Sequence, residues 1–145
     1  MYTRKKIINV LVVVLFVSVL VPAFTQESRY ISRFEAAEMI EGEWEQYGSQ
    51  DLDRGDSHIF SEPTFIEFFP DGSYTVETSS GDEQQGSWEV LEIDHRPWIR
   101  MSLESVRQHR TFRIIFSNGE LKLHDPFILS GVKGFDTELF RRPER

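Results

Sequence analysis

A chain of 145 residues has room for one domain, and without a cysteine it cannot use disulfides, thiolate metal sets or a lipid-bearing cysteine. Its 24 Asp and Glu against 16 Lys and Arg give a net charge of −8. Such a surface repels phosphate backbones and anionic headgroups, so nucleic acid is excluded as an expected partner. A hydrophobic core alone has to hold the fold.

The first stretch differs from the rest. "MYTRKK" carries Arg4, Lys5 and Lys6, and an apolar run from Ile7 to Phe24 follows, interrupted by Asn9, Ser18 and Pro22. A basic start, an apolar middle and a helix-breaking Pro ahead of small residues describe an export signal. Ala23 and Thr25 stand three and one residues before Gln26, so residues 1–25 read as a signal peptide and 26–145 as the barrel-forming domain. The competing reading is an uncleaved anchor through residues 7–24, close to the lower limit of about 17–25 residues for a spanning helix. Either way the domain is expected outside the cytoplasm, periplasmic or secreted, touching a membrane only through an uncleaved N-terminal segment. Removing the leader's three basic residues leaves 13 basic against 24 acidic residues, a net charge of −11 that favours solubility.

"SRFEAAEMIEG", from Ser32 to Gly42, reads as one short helix. Ser32 and Glu35 make a capping box, Ala36, Ala37 and Met39 favour the helix, and Gly42 stops it. The period then changes to two. "GEWEQYG" alternates around Trp44, and "SQDLDRGDSHIFSEP" is expected to be a long polar loop ending at Pro63. "TFIEFF" and "SYTVETS" are strands joined by Pro70-Asp71-Gly72, with Tyr74, Val76 and Thr78 on one face. "QGSWEVLEI" is the next strand and "DHRP" ends it. "WIRMSLES" aligns Ile99, Met101 and Leu103, and "RTFRIIFS" aligns Phe112, Ile114 and Phe116. Asn118-Gly119 joins the latter to "ELKLHD", the strongest short hairpin signal a sequence offers. "PFILSGVKG" is a glycine-punctuated loop, "FDTELFRR" a last strand, and all six prolines fall in expected breaks. Eight strands joined mostly by short turns form an antiparallel meander, and closing it removes both sticky edges. The expected fold is all-β, an eight-stranded antiparallel up-and-down barrel with a short N-terminal helix.

Several of these residues carry a likeness. Gly42-Glu43-Trp44, opening the first strand after a short helix, resembles the Gly-x-Trp element of the lipocalins. "FFPDGSY" over Phe68–Tyr74, the second Gly-x-Trp at Gly86-Ser87-Trp88 and the closing "LFRR" resemble the small bacterial lipocalin-like domains, barrels of the calycin type. The likeness covers about residues 33–142. It implies that Trp44 sits at the closed end of the barrel with an Arg of the last strand across its ring. Arg141 is the matching position and Arg142 the next in line, so Gly42, Trp44 and Arg141 are the expected closure. A guanidinium over an indole is worth about 0.5–2 kcal/mol and would plug the narrow end without burying an unpaired charge.

Chemistry-bearing patterns are sparse. His58, His95, His109 and His124 stand apart with no His-x-x-x-His spacing, and read as surface residues rather than metal ligands. No serine sits in Gly-x-Ser-x-Gly and no glycine loop is built to cradle phosphate. Neither a catalytic group nor a cofactor or metal is expected. In "DLDRGDSHIFSE", Asp51, Asp53 and Glu62 hold the first, third and twelfth places of a calcium loop, but Asp56 stands where Gly is required. Arg54-Gly55-Asp56 spells an adhesive tripeptide, and a solvated lid at the barrel mouth accounts better for the whole stretch.

Ten Phe outside the leader and three Trp either fill the barrel or line a pocket, since eight strands enclose a space side chains can just fill. The leading reading is a barrel that binds a small apolar or amphipathic molecule, with Trp44, Trp88, Met101, Phe112 and Ile114 as wall residues. The alternative is a filled barrel acting as an envelope interaction module through the acidic loops at 51–56 and 82–83, its protein partner unspecified.

Overall fold

The computed structural model describes residues 30–78, 80–105, 108–126 and 135–144. The expected signal or anchor, its cleavage point and most of the 126–134 loop lie outside these residues.

Helix α1 (Arg33–Ile40) starts where a hydroxyl can satisfy its free amides. Ser32 Oγ accepts from the Glu35 N–H at 3.2 Å, and α1 buries Ala36 and Ile40. At Gly42 the chain adopts φ +96°, open to glycine and costly for other residues, and swings into the first strand. The strands are β1 (Gly42–Gln50), β2 (Ser57–Phe68), β3 (Ser73–Glu77), β4 (Glu83–Ile93), β5 (Arg96–Leu103), β6 (His109–Ser117), β7 (Glu120–His124) and β8 (Thr137–Arg141). Each pairs antiparallel with the next, and β8 returns to β1, giving a closed up-and-down barrel.

Turn chemistry fixes the register. Ser117 pairs with Glu120 across Asn118 (φ +53°) and Gly119 (φ +80°), the positive-φ pair that a two-residue turn of the mirror type requires. Asp94 and His95 form a second such turn at φ +51° and +56°, between Ile93 and Arg96. At Pro70-Asp71-Gly72 the Asp71 carboxylate accepts from the Ser73 N–H (2.9 Å) and hydroxyl (2.6 Å), which holds its carboxyl below the usual carboxylate range.

Three expectations need correction. The long polar loop shrinks to residues 51–56, because Gly48, Ser49 and Gln50 pair with Ile59, His58 and Ser57. Residues 57–59 are exposed, so backbone pairing extends this hairpin without the alternation that marks a half-buried strand. Pro63 and Pro97 lie within strands rather than breaks. Pro63 sits where β2 has no register partner, between Thr64↔Gln46 and Ile59↔Gly48. Pro97 lies one residue past the last β5–β6 pair, Trp98↔Arg113, so its missing N–H breaks no rung there. Finally, the register shift between Gln46 and Gly48 makes Tyr47 an extra residue, a bulge that exchanges the inward and outward faces of β1.

One core runs through the barrel. Ile99, Phe112, Ile114, Leu121, Leu123 and Phe140 point inward at alternate positions and pack with Ala36 and Ile40 of α1 at the closed end.

Candidate functional site

The closed end is built around one guanidinium. Arg142 stacks on Trp44, its Cζ 3.8 Å from the ring centroid, while Trp44 is 3% exposed. The same guanidinium donates to the carbonyls of Met39 (3.0 Å), Glu41 (2.9 Å) and Glu43 (3.0 Å). Met39 and Glu41 carry carbonyls that the helix end leaves without amide partners, and Glu43 belongs to β1, so Arg142 caps α1 and ties it to the first strand while covering the indole. Its partial burial lowers its pKa below the ordinary arginine value. The Trp44 indole N–H donates to Ile40 C=O at 2.6 Å, tying β1 back to the helix. Gly42 is held by space as well as by φ: a Cβ there would meet Arg142 Nη1 at 3.0 Å.

Arg141, the expected closure residue, points the other way. It pairs with Glu45 at 2.8 Å and lies over the Tyr47 ring at 5.0 Å. Alternation is the reason. Glu138 and Phe140 occupy the inward positions opposite Leu123 and Leu121, so the next inward position is 142. Tyr47 donates to Glu120 at 2.7 Å, and burial, reinforced by that bond, pushes its hydroxyl up to about 12.

The second Gly-x-Trp is a different device. Trp88 Nε1 donates to the carbonyls of Ser73 (2.9 Å) and Phe69 (3.1 Å), and its backbone N–H donates to Gly72 C=O (2.7 Å). The indole therefore clamps the Pro70-Asp71-Gly72 turn, while its ring meets Phe68 edge-on at 5.4 Å. Across the strand pair Tyr74 lies on Gly86, where a Cβ would come within 2.5 Å of the phenol ring. Both motifs are legible in the sequence; that the turn and the tryptophan form one unit is legible from neither alone.

The open half of the barrel holds a cavity of about 280 Å³. Ile66, Val76, Met101, Leu103, Phe112 and Phe140 are among its apolar wall, and Gln46, Gln84, Gln108, Arg110 and Glu138 ring its mouth. Arg110 lies over the Phe112 ring at 4.6 Å and reaches Asp125 (3.3 Å) and Glu138 (3.5 Å). Surrounding protein raises the Glu138 pKa, against the opposing pull of Arg110, although 31% of the side chain remains exposed. Of the expected wall residues, Met101 and Phe112 face this cavity. Trp88 is committed to its turn, and Trp44 and Ile114 lie at the closed end, lining a separate cleft.

A closed eight-stranded meander, an N-terminal helix at its narrow end and an arginine of the final segment over the first-strand tryptophan meet in one molecule. This is the arrangement that the resemblance to the lipocalins implies, with Arg142 in place of Arg141. Among solved structures, a lipocalin-like protein from Bacteroides uniformis is similar over 72% of this chain and 99% of its own, at 19% identity and a TM-score of 0.47. No protein-family model matches the sequence, and no curated protein does.

His58, His95 and His109 are exposed, and His124 shares a 3.0 Å hydrogen bond with Thr137. Among the described residues, no group of three His, Asp or Glu is placed to hold a metal ion. Asp51, the first residue of the calcium-like count, instead accepts from the N–H groups of Asp53 (3.1 Å) and Arg54 (2.9 Å). Leu52 N–H donates to Asp136 at 3.0 Å, which ties the 51–56 loop to the start of β8 at the open end.

Proposed function

We propose that this lipocalin-like barrel is an exported, non-enzymatic binder of a small amphipathic molecule. The observation that carries the reading is the cavity in its open half, apolar inside and polar at the rim. Its volume falls just below the about 300–1,000 Å³ of most small-molecule sites, so the ligand is a single ring or a short chain rather than a haem-sized group. Transfer of its apolar part between Phe112, Met101 and Leu103 supplies about 25 cal/mol per Å² buried, less the cost of immobilising it. The glutamines, Arg110 and Glu138 then hydrogen-bond a polar head at the mouth. Export is supported by the basic, apolar and small-residue order of residues 1–25.

The test is binding of short-chain alcohols, monocarboxylates and single-ring aromatics, read by melting temperature and by displacement of a naphthalene-based fluorescent probe. A ligand held only by the folded state raises the melting temperature by mass action. Val76→Trp and Leu103→Phe, which fill the cavity, should abolish the response while the protein stays folded. If no compound shifts the wild-type melt, or the filled variants respond equally, the cavity is not the binding site.

A further inference from the structure

At the closed end the barrel wall opens. β5 and β6 are paired only as far as Trp98↔Arg113, yet β6 runs on to Ser117 and β5 begins at Arg96. Continuing the register, Pro97 faces Ile114 and His95 faces Phe116. Pro97 has no N–H to offer the Ile114 carbonyl, and at His95 the chain is already in its turn. Because Ser117 and Glu120 close a two-residue hairpin, their amides face each other, so Phe116 directs its N–H and C=O toward β5. Among the described residues, no strand pairing meets them there. The result is a short free edge of β6 inside a cleft of about 950 Å³, bounded on its other side by Met39 of α1 and by Tyr30 and Ile31.

The charges at this cleft run against the molecule's net charge of −8. Arg96 and Arg113 both line it, and among the described residues neither has an ion pair or hydrogen-bonded side-chain partner. Arg142 also lines it, alongside His95, which lies 3.8 Å from Glu92; Glu38 is the acidic residue of the lining. Two uncommitted guanidinia beside unpaired backbone groups and an apolar floor suit a backbone that carries carboxylates.

We propose that this cleft receives an extended, acidic segment of a partner protein, which adds as a short strand to the free edge of β6. Main-chain bonds to the N–H and C=O of Phe116 would set its register. Arg96 and Arg113 would take its acidic side chains, and Phe116 and Met39 its apolar ones. The site lies at the opposite end of the barrel from the cavity, so it stands or falls independently of ligand binding there.

The probe is a fluorescein-labelled, end-capped peptide of alternating valine and glutamate, titrated into the full chain by anisotropy, with amide exchange followed by NMR. The peptide should bind, and the Phe116 amide should exchange about tenfold more slowly in its presence. Arg96→Glu with Arg113→Glu should weaken binding by about tenfold or more at unchanged melting temperature. A peptide N-methylated at its strand-pairing amides should not bind. Absence of binding overturns the proposal, as does equal binding of a valine–lysine peptide or of the doubly reversed variant. Binding that leaves Phe116 exchange unchanged also overturns it. So does full displacement by octanoate, which would assign the cleft to a small carboxylate amphiphile.

Discussion

Arg142 lies 3.8 Å above the Trp44 ring and donates to three backbone carbonyls, whereas its neighbour Arg141 is an outward residue in an exposed ion pair with Glu45. The two arginines are adjacent in sequence and unequal in consequence. Arg142→Ala should destabilise by about 2 kcal/mol or more, because it removes a cation–π contact and leaves helix-end carbonyls short of a donor. Arg141→Ala should stay below about 1 kcal/mol, the range of surface ion pairs. Trp44→Ala, a large core truncation, should cost about 3–5 kcal/mol. Urea unfolding of the three variants ranks them, and an Arg141 effect exceeding that of Arg142 would refute the closure geometry.

Gly42 and Gly119 separate two reasons for glycine. Both have positive φ, but only Gly42 has a neighbour within reach of an added Cβ. Gly119→Ala should cost about 1–2 kcal/mol, the backbone term alone. Gly42→Ala should cost more, because the new methyl displaces the Arg142 guanidinium from its carbonyls. Combining Gly42→Ala with Arg142→Ala should give less than the sum of the single effects, measurable as a double-mutant cycle.

Trp88→Phe keeps a ring beside Phe68 and removes only the N–H that reaches Ser73 and Phe69. Each of those carbonyls also accepts from the backbone, Ser73 from Phe69 N–H and Phe69 from Gly72 N–H, so neither is orphaned. The expected loss is about 1 kcal/mol. Faster hydrogen exchange confined to the Phe69 and Gly72 amides would mark the loosened turn.

Tyr47 gives a pH signature. Its folded pKa of about 12 exceeds the ordinary 10.0, so the folded state holds the phenolic proton more tightly than the unfolded chain. The associated stability is complete below pH 10 and lost as pH rises through about 12. Tyr30 and Tyr74 are raised as well, Tyr30 first by its bond to Glu92 and Tyr74 by burial. Tyr47→Phe should therefore flatten part of the alkaline loss, read as the melting temperature between pH 9 and about 12. An unchanged slope would place Tyr47 in water.

Much of the barrel was legible because its turns are written in residues that permit few conformations. Asn118-Gly119 and Pro70-Asp71-Gly72 set two hairpins, and single-face runs such as Phe112, Ile114 and Phe116 showed which side is buried. What escaped the sequence is phase. In "TELFRR" the apolar Leu139 and Phe140 are adjacent, so alternation alone does not say which faces inward, and the closing arginine is displaced by one with it. The Tyr47 bulge has no residue signature, and Pro63 and Pro97 read as breaks because their tolerance depends on what neighbouring strands leave unpaired. For the candidate site, alternation pointed to Met101 and Phe112, which line the cavity. Arg110 and Glu138 were missed because charge on a strand ordinarily marks the outer face.

The stack of Arg142 on Trp44 also sets an order of events. Glu45 and Arg141 meet across 96 positions of chain, and the guanidinium that seals the narrow end follows the last strand. Contacts of such separation form late, since the intervening loop must be closed before they contribute. A ribosome that has not yet reached residue 142 holds a chain with its first strand unsealed and no barrel to fold into. If the chain is exported as proposed from residues 1–25, that delay would be useful: the domain would stay threadable until complete and close only after crossing.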